Sequence, residues 1–304
     1  MTFELTILGS SSATPIFNRN PSAQLLNINE KYYLIDCGEG TQHQLLRYSY
    51  KFQRIDHIFI SHLHGDHYLG LIGLISSMNL NGRKKSLKIF GPTELKEIID
   101  LQLKHSLTIL KFPLEFIGIT AEYSYLIFEN MDVQVETIVL NHRIPCTGFK
   151  FSLKKRLPKI RMDKVEELNI PPEQRQLIKK GFPFTDATGK VYQPEELTLP
   201  SDEVRTYAYC SDTICDGSYL KQIEGVNLLY HESTFMHDML SRAQETYHTT
   251  ALQAAEVAKQ AGVKELLIGH FSARYRNLQP LLEEAKTIFE PTQLALEGQK
   301  FEIN

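Results

Sequence analysis

Four side chains able to bind a metal lie within six residues of this chain: His62, His64, Asp66 and His67, in the stretch Phe59-Ile60-Ser61-His62-Leu63-His64-Gly65-Asp66-His67-Tyr68. Imidazole nitrogens and a carboxylate, with no thiolate beside them, suit zinc, with manganese, iron or cobalt as alternatives. His62 and His64, two apart, point the same way while the backbone stays extended. Gly65 frees the chain to turn sharply, which aims Asp66 and His67 at a second point close to the first. One metal cannot easily take all four ligands from so short a loop, but two adjacent metals can share them. An isolated histidine is usually a surface or capping residue; three with an aspartate in one turn point to a metal site.

Such groups need elements to hold them. The apolar run His57 to Ile60 reads as a short buried strand ending at His62, and Leu69, Leu71, Ile72, Leu74 and Ile75 suit a helix after the loop. The pattern recurs along the chain. Val133 to Leu140 alternates as a strand and delivers His142; Thr206 to Cys210 delivers Asp212; Asn227 to Tyr230 delivers His231 and Glu232; Leu266 to Ile268 delivers His270. Strands thus end at His62, His142, Asp212, His231 and His270, and in open α/β architectures groups at strand ends converge on the ligand crevice.

The remaining elements are read in the same way. Phe3 to Leu8 and Phe149 to Leu153 are strands, and Ala23 to Ile28 with Tyr32 to Ile35 forms a hairpin. The hairpin leads into Asp36-Cys37-Gly38-Glu39, where small residues after a strand read equally as turn chemistry or as the place of a carboxylate that orients a metal-bound histidine. Leu87 to Phe90 is a strand, Gly91-Pro92 a turn, and Thr93 caps a helix through Leu103. After His248, Thr250 and Gln253 have capping-box spacing, and Gly262 ends that helix. Leu294 to Ile303 reads as a terminal hairpin around Gly298.

At 304 residues, 42% hydrophobic and 23% charged, the composition is that of a soluble globular protein with one large α/β domain or two small ones. The N-terminus lacks the basic and apolar regions of a signal peptide, and no run of apolar residues is long enough to span a membrane. Cys37, Cys146, Cys210 and Cys215 show no paired spacing and read as thiols of a reducing cytoplasm. A formal net charge of -3 gives no global sign of nucleic-acid binding, so such a partner needs a local basic patch. Lys154-Lys155-Arg156, followed by Lys159 and Arg161, is one. It opens the segment Lys154 to Leu199, where prolines, glycines and charge interrupt short apolar runs and predict an inserted, projecting arm rather than core.

Together these residues resemble the metallo-β-lactamase superfamily, whose hallmark is the loop His62-Leu63-His64-Gly65-Asp66-His67. Within it the chain is similar to the ribonuclease Z family, endonucleases that mature the 3′ end of transfer RNA. The resemblance covers almost the full length. It rests further on Leu8-Gly9-Ser10-Ser11-Ser12-Ala13-Thr14-Pro15 with Arg19-Asn20-Pro21-Ser22, and on Asp36-Cys37-Gly38-Glu39-Gly40-Thr41-Gln42. His231-Glu232-Ser233-Thr234-Phe235, His248-Thr249-Thr250 and His270-Phe271-Ser272-Ala273-Arg274-Tyr275 complete it. The chain departs at Ser211, where the family commonly has glycine, and at Pro171-Pro172-Glu173-Gln174, where a Gly-rich Pro-Pro-Gly-Pro pattern is usual.

The resemblance implies a four-layered αββα sandwich with two zinc ions at one edge. His62, His64 and His142 would hold one ion, Asp66, His67 and His270 the other, and Asp212 would bridge them. Two neighbouring cations can generate hydroxide at neutral pH, neutralise a phosphodiester and stabilise the leaving oxygen. Asp66 would also orient or deprotonate the attacking water, and His248 would protonate the leaving 3′ oxygen, with Glu232 the nearest carboxylate to steady it. Arg274 would contact phosphate, and Lys154, Lys155 and Arg156 would grip precursor tRNA from the arm. The resemblance also implies a homodimer. A hydrolase of a small ester, thioester, lactone or phosphodiester is the nearest alternative, though small substrates need no arm. A non-catalytic RNA-binding relative is the other, though such a protein should have lost ligands.

Overall fold

The strand-forming runs assemble into two seven-stranded sheets and one short hairpin among the described residues. The structure is a computed structural model that describes residues 2–16, 18–200 and 204–304. Across the first sheet the order is Lys300–Glu302, Phe3–Gly9, Ala23–Ile28, Lys31–Ile35, Ile55–Phe59, Leu87–Pro92 and Leu114–Ile119. Across the second it is Thr292–Leu294, Glu265–Gly269, Leu228–Glu232, Thr206–Cys210, Cys146–Leu153, Val133–Leu140 and Leu126–Glu129. Lys31–Ile35, Ile55–Phe59 and Leu87–Pro92 run parallel in the first sheet, and Thr206–Cys210, Leu228–Glu232 and Glu265–Gly269 in the second, so within each set the C-terminal ends lie on one side. Val133–Leu140, which leads to His142, instead pairs antiparallel with Leu126–Glu129.

Side-chain alternation builds the layers. In Ile55–Phe59, Ile58 faces the helices Thr41–Arg47, Leu71–Leu80 and Glu94–His105, whose Leu45, Leu74, Ile75 and Leu95 form one core with it. The next residue, Phe59, faces the other sheet, its ring 5.2 Å from Phe151 and 5.5 Å from Phe149. On the far side of the second sheet, Ala254, Ala255 and Ala258 of helix Ala251–Ala261 and Leu281 of helix Gln279–Lys286 pack on Ala208, Leu229 and Ile268. The result is the αββα sandwich, held at its centre by aromatic rings that each contribute about 1.5–3 kcal/mol by burial. A titratable imidazole shares that layer. His57 lies 4.5 Å from Phe128 and 5.1 Å from Tyr33, and burial pushes it down to about 4.

Several local expectations change. The terminal hairpin does not form: Thr292–Leu294 joins the second sheet, parallel to Glu265–Gly269, while Lys300–Glu302 pairs antiparallel with Phe3–Gly9 in the first. Gly298, at φ +83°, turns the chain between the sheets and donates its N–H to Ile7 at 2.8 Å. Gly91-Pro92 is not a turn, because pairing with Leu114–Ile119 continues to Pro92. Thr93 precedes helix Glu94–His105 without a side-chain cap, since its own backbone is already helical; Glu94 and Glu97 in the first turn favour the helix dipole instead. Thr250 and Gln253 do form the capping box, and Gly262 closes that helix at φ +63°.

The chain divides into two compact units: one runs to Ser152 and resumes at Arg205–Asn304, and the other is Leu153–Val204. Taken by itself, the second unit contains helices Met162–Glu167, Pro172–Lys179 and Pro194–Leu197 and the hairpin Phe184–Thr185 with Val191–Tyr192. Its apolar runs are too short to predict a core, yet Val165, Ile170, Ile178, Phe184 and Leu197 build a small one from separate elements. Its ends run together: Leu199 donates to the Lys159 carbonyl at 2.8 Å and Arg161 to that of Leu197 at 2.9 Å. Lys155, Arg156 and Lys159 are exposed, and Arg161 pairs with Asp163 at 2.7 Å. The four cysteines form no disulfide, and no helix among the described residues is long and apolar enough to cross a membrane.

Candidate metal centre

Strand ends place the ligands, and backbone strain aims them. Asp36, Asp212 and His270 each follow a strand and adopt φ of +55°, +58° and +56°. This left-handed conformation is uncommon for residues other than glycine, costs of order 1–3 kcal/mol, and persists only where surrounding structure fixes it. It turns each side chain back across the strand end. The hallmark loop works differently from its sequence reading. His64 stays extended (φ -70°, ψ 142°) and Gly65 begins the short helix Gly65–Tyr68, so the glycine is helical rather than left-handed. Helical geometry then presents Asp66 and His67. Close packing does demand glycine at position 38, where an added Cβ would meet the Asp66 carbonyl oxygen at 2.3 Å.

Seven predicted ligands converge as two groups joined by Asp212. In the first, His64 Nδ1 lies 3.1 Å from both His62 Nε2 and His142 Nε2, and Asp212 Oδ2 lies 3.4 Å and 3.7 Å from those two Nε2 atoms. In the second, Asp212 Oδ1 lies 3.0 Å from His270 Nε2 and 3.4 Å from His67 Nε2; Asp66 Oδ2 lies 3.4 Å and 3.5 Å from the same nitrogens. A cation about 2.1 Å from four tetrahedral donors would space them about 3.4 Å apart. Among the described residues, the buried Nε2 atoms of His67 and His270 have no hydrogen-bond partner despite the nearby carboxylates, so they are close to those oxygens but not aligned with them. Donors crowded to this spacing, with the Nε2 atoms of His67 and His270 left unbonded, fit a pair of small divalent cations.

The electrostatics fit the same occupants. Burial lowers His62 to about 4 and also lowers His64 and His142, which keeps these imidazoles neutral and able to ligate. At His67 burial acts in the same direction but is outweighed by Asp212, Asp66 and Asp36, which raise it well above its ordinary value. Burial opposes ionisation of Asp66 and Asp212 in turn, yet neighbouring histidines hold both well below the usual carboxylate range. The carboxylates draw positive charge into this space.

A second layer fixes each ring. His67 Nδ1 donates to Asp36 Oδ2 at 2.7 Å, and that carboxylate also accepts from the Ser61 amide, the Ser61 hydroxyl and the Tyr209 hydroxyl at 2.8, 2.9 and 2.7 Å. His142 Nδ1 donates to the Tyr247 carbonyl at 3.0 Å, and His270 Nδ1 to Thr234 Oγ1 at 3.0 Å. Ala13 donates its N–H to Asp66 Oδ2 at 2.7 Å. The Asp36 role is legible from its place after a strand; Tyr209, Thr234, Tyr247 and Ala13 carry no sequence signal.

Beside the ligands, His248 donates Nδ1–H to Glu232 Oε1 at 2.9 Å, and Thr213 N–H supports the same oxygen at 2.8 Å. Burial opposes a charge on His248, but Glu232, helped by Asp212 and Asp66, raises it to about 9. Its ring lines a cavity of about 380 Å³ with His64, Asp66, His142, Asp212 and His270. One predicted strand-end residue sits elsewhere. His231, grouped with the strand-end ligands, is buried and bonded to the Tyr219 hydroxyl at 2.7 Å and the Glu232 carbonyl at 2.8 Å, away from the metal groups. Arg274 lies over the Phe235 ring at 5.0 Å, its Nε donating to Ser272 Oγ at 3.1 Å. Lys154, Lys155 and Arg156 belong to the second compact unit.

Comparison with known proteins follows the same lines. A family model described as anti-Pycsar protein Apyc1 matches residues 3–152. A ribonuclease Z of Cytophaga hutchinsonii is 50% identical over 305 residues, spanning 100% of this chain and 97% of its own. Among solved structures, the short form of human tRNase Z is similar with a TM-score of 0.71 and 26% identity, covering 99% of each chain. The metallo-β-lactamase fold protein YhfI of Bacillus subtilis, 21% identical, has a TM-score of 0.70 over 99% of this chain and 100% of its own, a likeness of fold.

Proposed function

The chain belongs to the ribonuclease Z family, and from that membership we propose that it is a metal-dependent endoribonuclease that cuts precursor tRNA and leaves a 3′-hydroxyl on the tRNA. The observation that carries the reading is the convergence of seven ligating groups and the His248–Glu232 pair on one cavity. We assign two zinc ions. His62, His64 and His142 would hold one, Asp66, His67 and His270 the other, with Asp212 shared; nitrogen-rich donor sets spaced near tetrahedral edges support zinc over magnesium or calcium. When bound, such a pair lowers the pKa of water, neutralises the phosphate and stabilises negative charge on the leaving oxygen.

The protein's own groups do the rest. Asp66, held by the Ala13 amide, orients the attacking water and takes its proton as oxygen bonds to phosphorus. The P–O3′ bond breaks on the opposite side, and His248 supplies a proton from Nε2 to the departing 3′ oxygen. Glu232 holds the His248 ring through Nδ1, leaving Nε2 for the substrate, and stabilises the charged imidazole before transfer. Arg274 and the basic run Lys154, Lys155 and Arg156 are assigned to phosphates away from the scissile bond, which the clustering of positive charge supports. The reading extends to a cytoplasmic homodimer: four unpaired thiols support a reducing compartment, and family membership supports the dimer. Incubating the protein with a 3′-extended tRNA precursor, with and without chelator, tests the activity. Metal-dependent release of the trailer with a 3′-hydroxyl on the tRNA is expected; an intact precursor in the presence of metal would overturn the reading.

A further inference from the structure

A second cavity adjoins the one lined by the candidate metal ligands. It measures about 650 Å³ and shares two wall residues with its neighbour, His142 and Arg143. The cavity lined by the candidate ligands, about 380 Å³, is at the small end for a ligand pocket and has room for the scissile phosphate and little more than one nucleoside. A polynucleotide cut in its interior must place a nucleotide on each side of that phosphate, so at least one needs further space.

The chemistry of the second cavity is graded. At the shared wall, Arg143 is exposed and, among the described residues, makes two long bonds, 3.4 and 3.5 Å, to the Thr246 carbonyl. Its remaining donors can meet a phosphate oxygen. Farther in, Thr93, Glu94, Thr120, Glu122 and Tyr125 line the space. Two carboxylates repel a phosphate but accept hydrogen bonds from exocyclic amines. The Tyr125 ring, fixed by its hydroxyl accepting from the Thr120 amide at 3.2 Å and flanked by Tyr123 at 5.2 Å, offers a face for stacking.

We infer that this cavity is a nucleoside subsite for one of the two nucleotides flanking the scissile phosphate, with Arg143 at the phosphate end, Tyr125 stacking the base, and Glu122 with Glu94 favouring amino-bearing bases over uracil. The inference rests on the endonuclease reading above. It assigns no base or side in advance, because the last tRNA nucleotide and the first trailer nucleotide carry the same chemistry.

The test is a coupling cycle on metal-loaded enzyme. Precursors with an abasic residue at either flanking position are compared with the intact RNA, using wild type and Tyr125→Leu. For wild type, removing the base at one position should raise KM roughly 5- to 100-fold, the scale of one stacked base. For Tyr125→Leu, KM for the intact RNA should already be raised, and removing that base should add little. The position that shows the coupling identifies the side. Equal abasic penalties in both enzymes at both positions overturn the inference. Should Tyr125→Leu fail to fold, Glu122→Gln decides: a wild-type preference for cytosine over uracil at the coupled position that falls toward parity supports the subsite, and an unchanged or absent preference overturns it. Failure of wild type to cut the intact precursor removes the endonuclease reading and the subsite together, whereas cutting without coupling removes the subsite alone.

Discussion

Asp36→Asn isolates the layer behind the ligands. Asp36 is fully buried and receives four donors: the Ser61 amide and hydroxyl, the Tyr209 hydroxyl, and His67 Nδ1–H. Asparagine keeps the shape but replaces one acceptor oxygen with an NH2 group. If its oxygen stays on the Ser61 amide, its NH2 faces the other three donors. The hydroxyls of Ser61 and Tyr209 can rotate and become acceptors, but His67 can accept only by giving up the Nδ1 proton. The imidazole then carries its proton on Nε2, the atom that faces Asp66 and Asp212, and a protonated nitrogen cannot ligate. Losing such a second-layer partner typically costs 10- to 100-fold in metal affinity, or about 1.4–2.7 kcal/mol. The loss should fall on the site of Asp66, His67 and His270, because Asp36 bonds the His67 ring directly and reaches the other set only through Ser61. Titration with a competing chelator, read by metal analysis, should show one of two equivalents released about 10- to 100-fold more easily while the other is unchanged. Two equivalents held at wild-type affinity would refute the tautomer argument.

Four other outcomes are expected. Asp212→Ala, which removes the group shared by both sites, should lose more bound metal than His142→Ala; full occupancy in both variants by metal analysis defeats the bridging assignment. His248→Ala should retain metal while turnover falls roughly 10²–10⁴-fold; because His248 also lies within ligating reach of Asp212 and His270, loss of metal would make it a ligand instead. His57, held near 4 against an ordinary 6.5, stays neutral in the fold while the unfolded chain takes a proton. Its contribution is therefore present above pH 6.5 and lost as pH falls toward 4, by about 2–3 kcal/mol; denaturant melts of His57→Phe should show correspondingly less acid sensitivity than wild type, and identical pH slopes would rule this out. Replacing Lys154 to Leu199 with a short Gly-Ser linker, across ends already paired at Lys159 and Leu199, should weaken precursor binding. Its salt slope should flatten by roughly 0.7–0.9 for every phosphate that the arm neutralises; unaltered KM and salt slope would exclude the arm as an exosite.

The sequence made the candidate ligands legible because their identities cluster and recur at strand ends, a pattern that survives without knowledge of the fold, and the structure brings them together. It misled at His231 for a reason visible in the strand. His231 lies within Leu228–Glu232, so alternation sends its ring toward Tyr219 and turns the next residue, Glu232, toward His248. Strain was hidden as well. Asp36, Asp212 and His270 take positive φ, but unlike glycine they carry no compositional mark of it. Other omissions were matters of range. Tyr209 meets Asp36 across 173 residues, and Ala13 meets Asp66 across 53 through a backbone amide that no side-chain pattern records.

Both sheets contribute to the centre, and the bond from Tyr209 to Asp36 crosses between them. His62, His64, Asp66 and His67 come from the loop after Ile55–Phe59 in the first sheet, while His142, Asp212 and His270 follow strands of the second. Each proposed metal therefore takes ligands from both sheets: His62 and His64 with His142, and Asp66 and His67 with His270. A shift of one sheet along the other would displace both ligand sets at once. Tyr209, on Thr206–Cys210, reaches across to Asp36 at the end of Lys31–Ile35 and restrains the same sheet junction from behind the candidate ligands. The aromatic layer of Phe59, Phe149 and Phe151 resists sliding nearby, since close-packed interiors forfeit dispersion attraction for displacements well under 1 Å. Precision at the ligands thus depends on the inter-sheet core, and the conformational strain at Asp212 and His270 is sustained by the same packing.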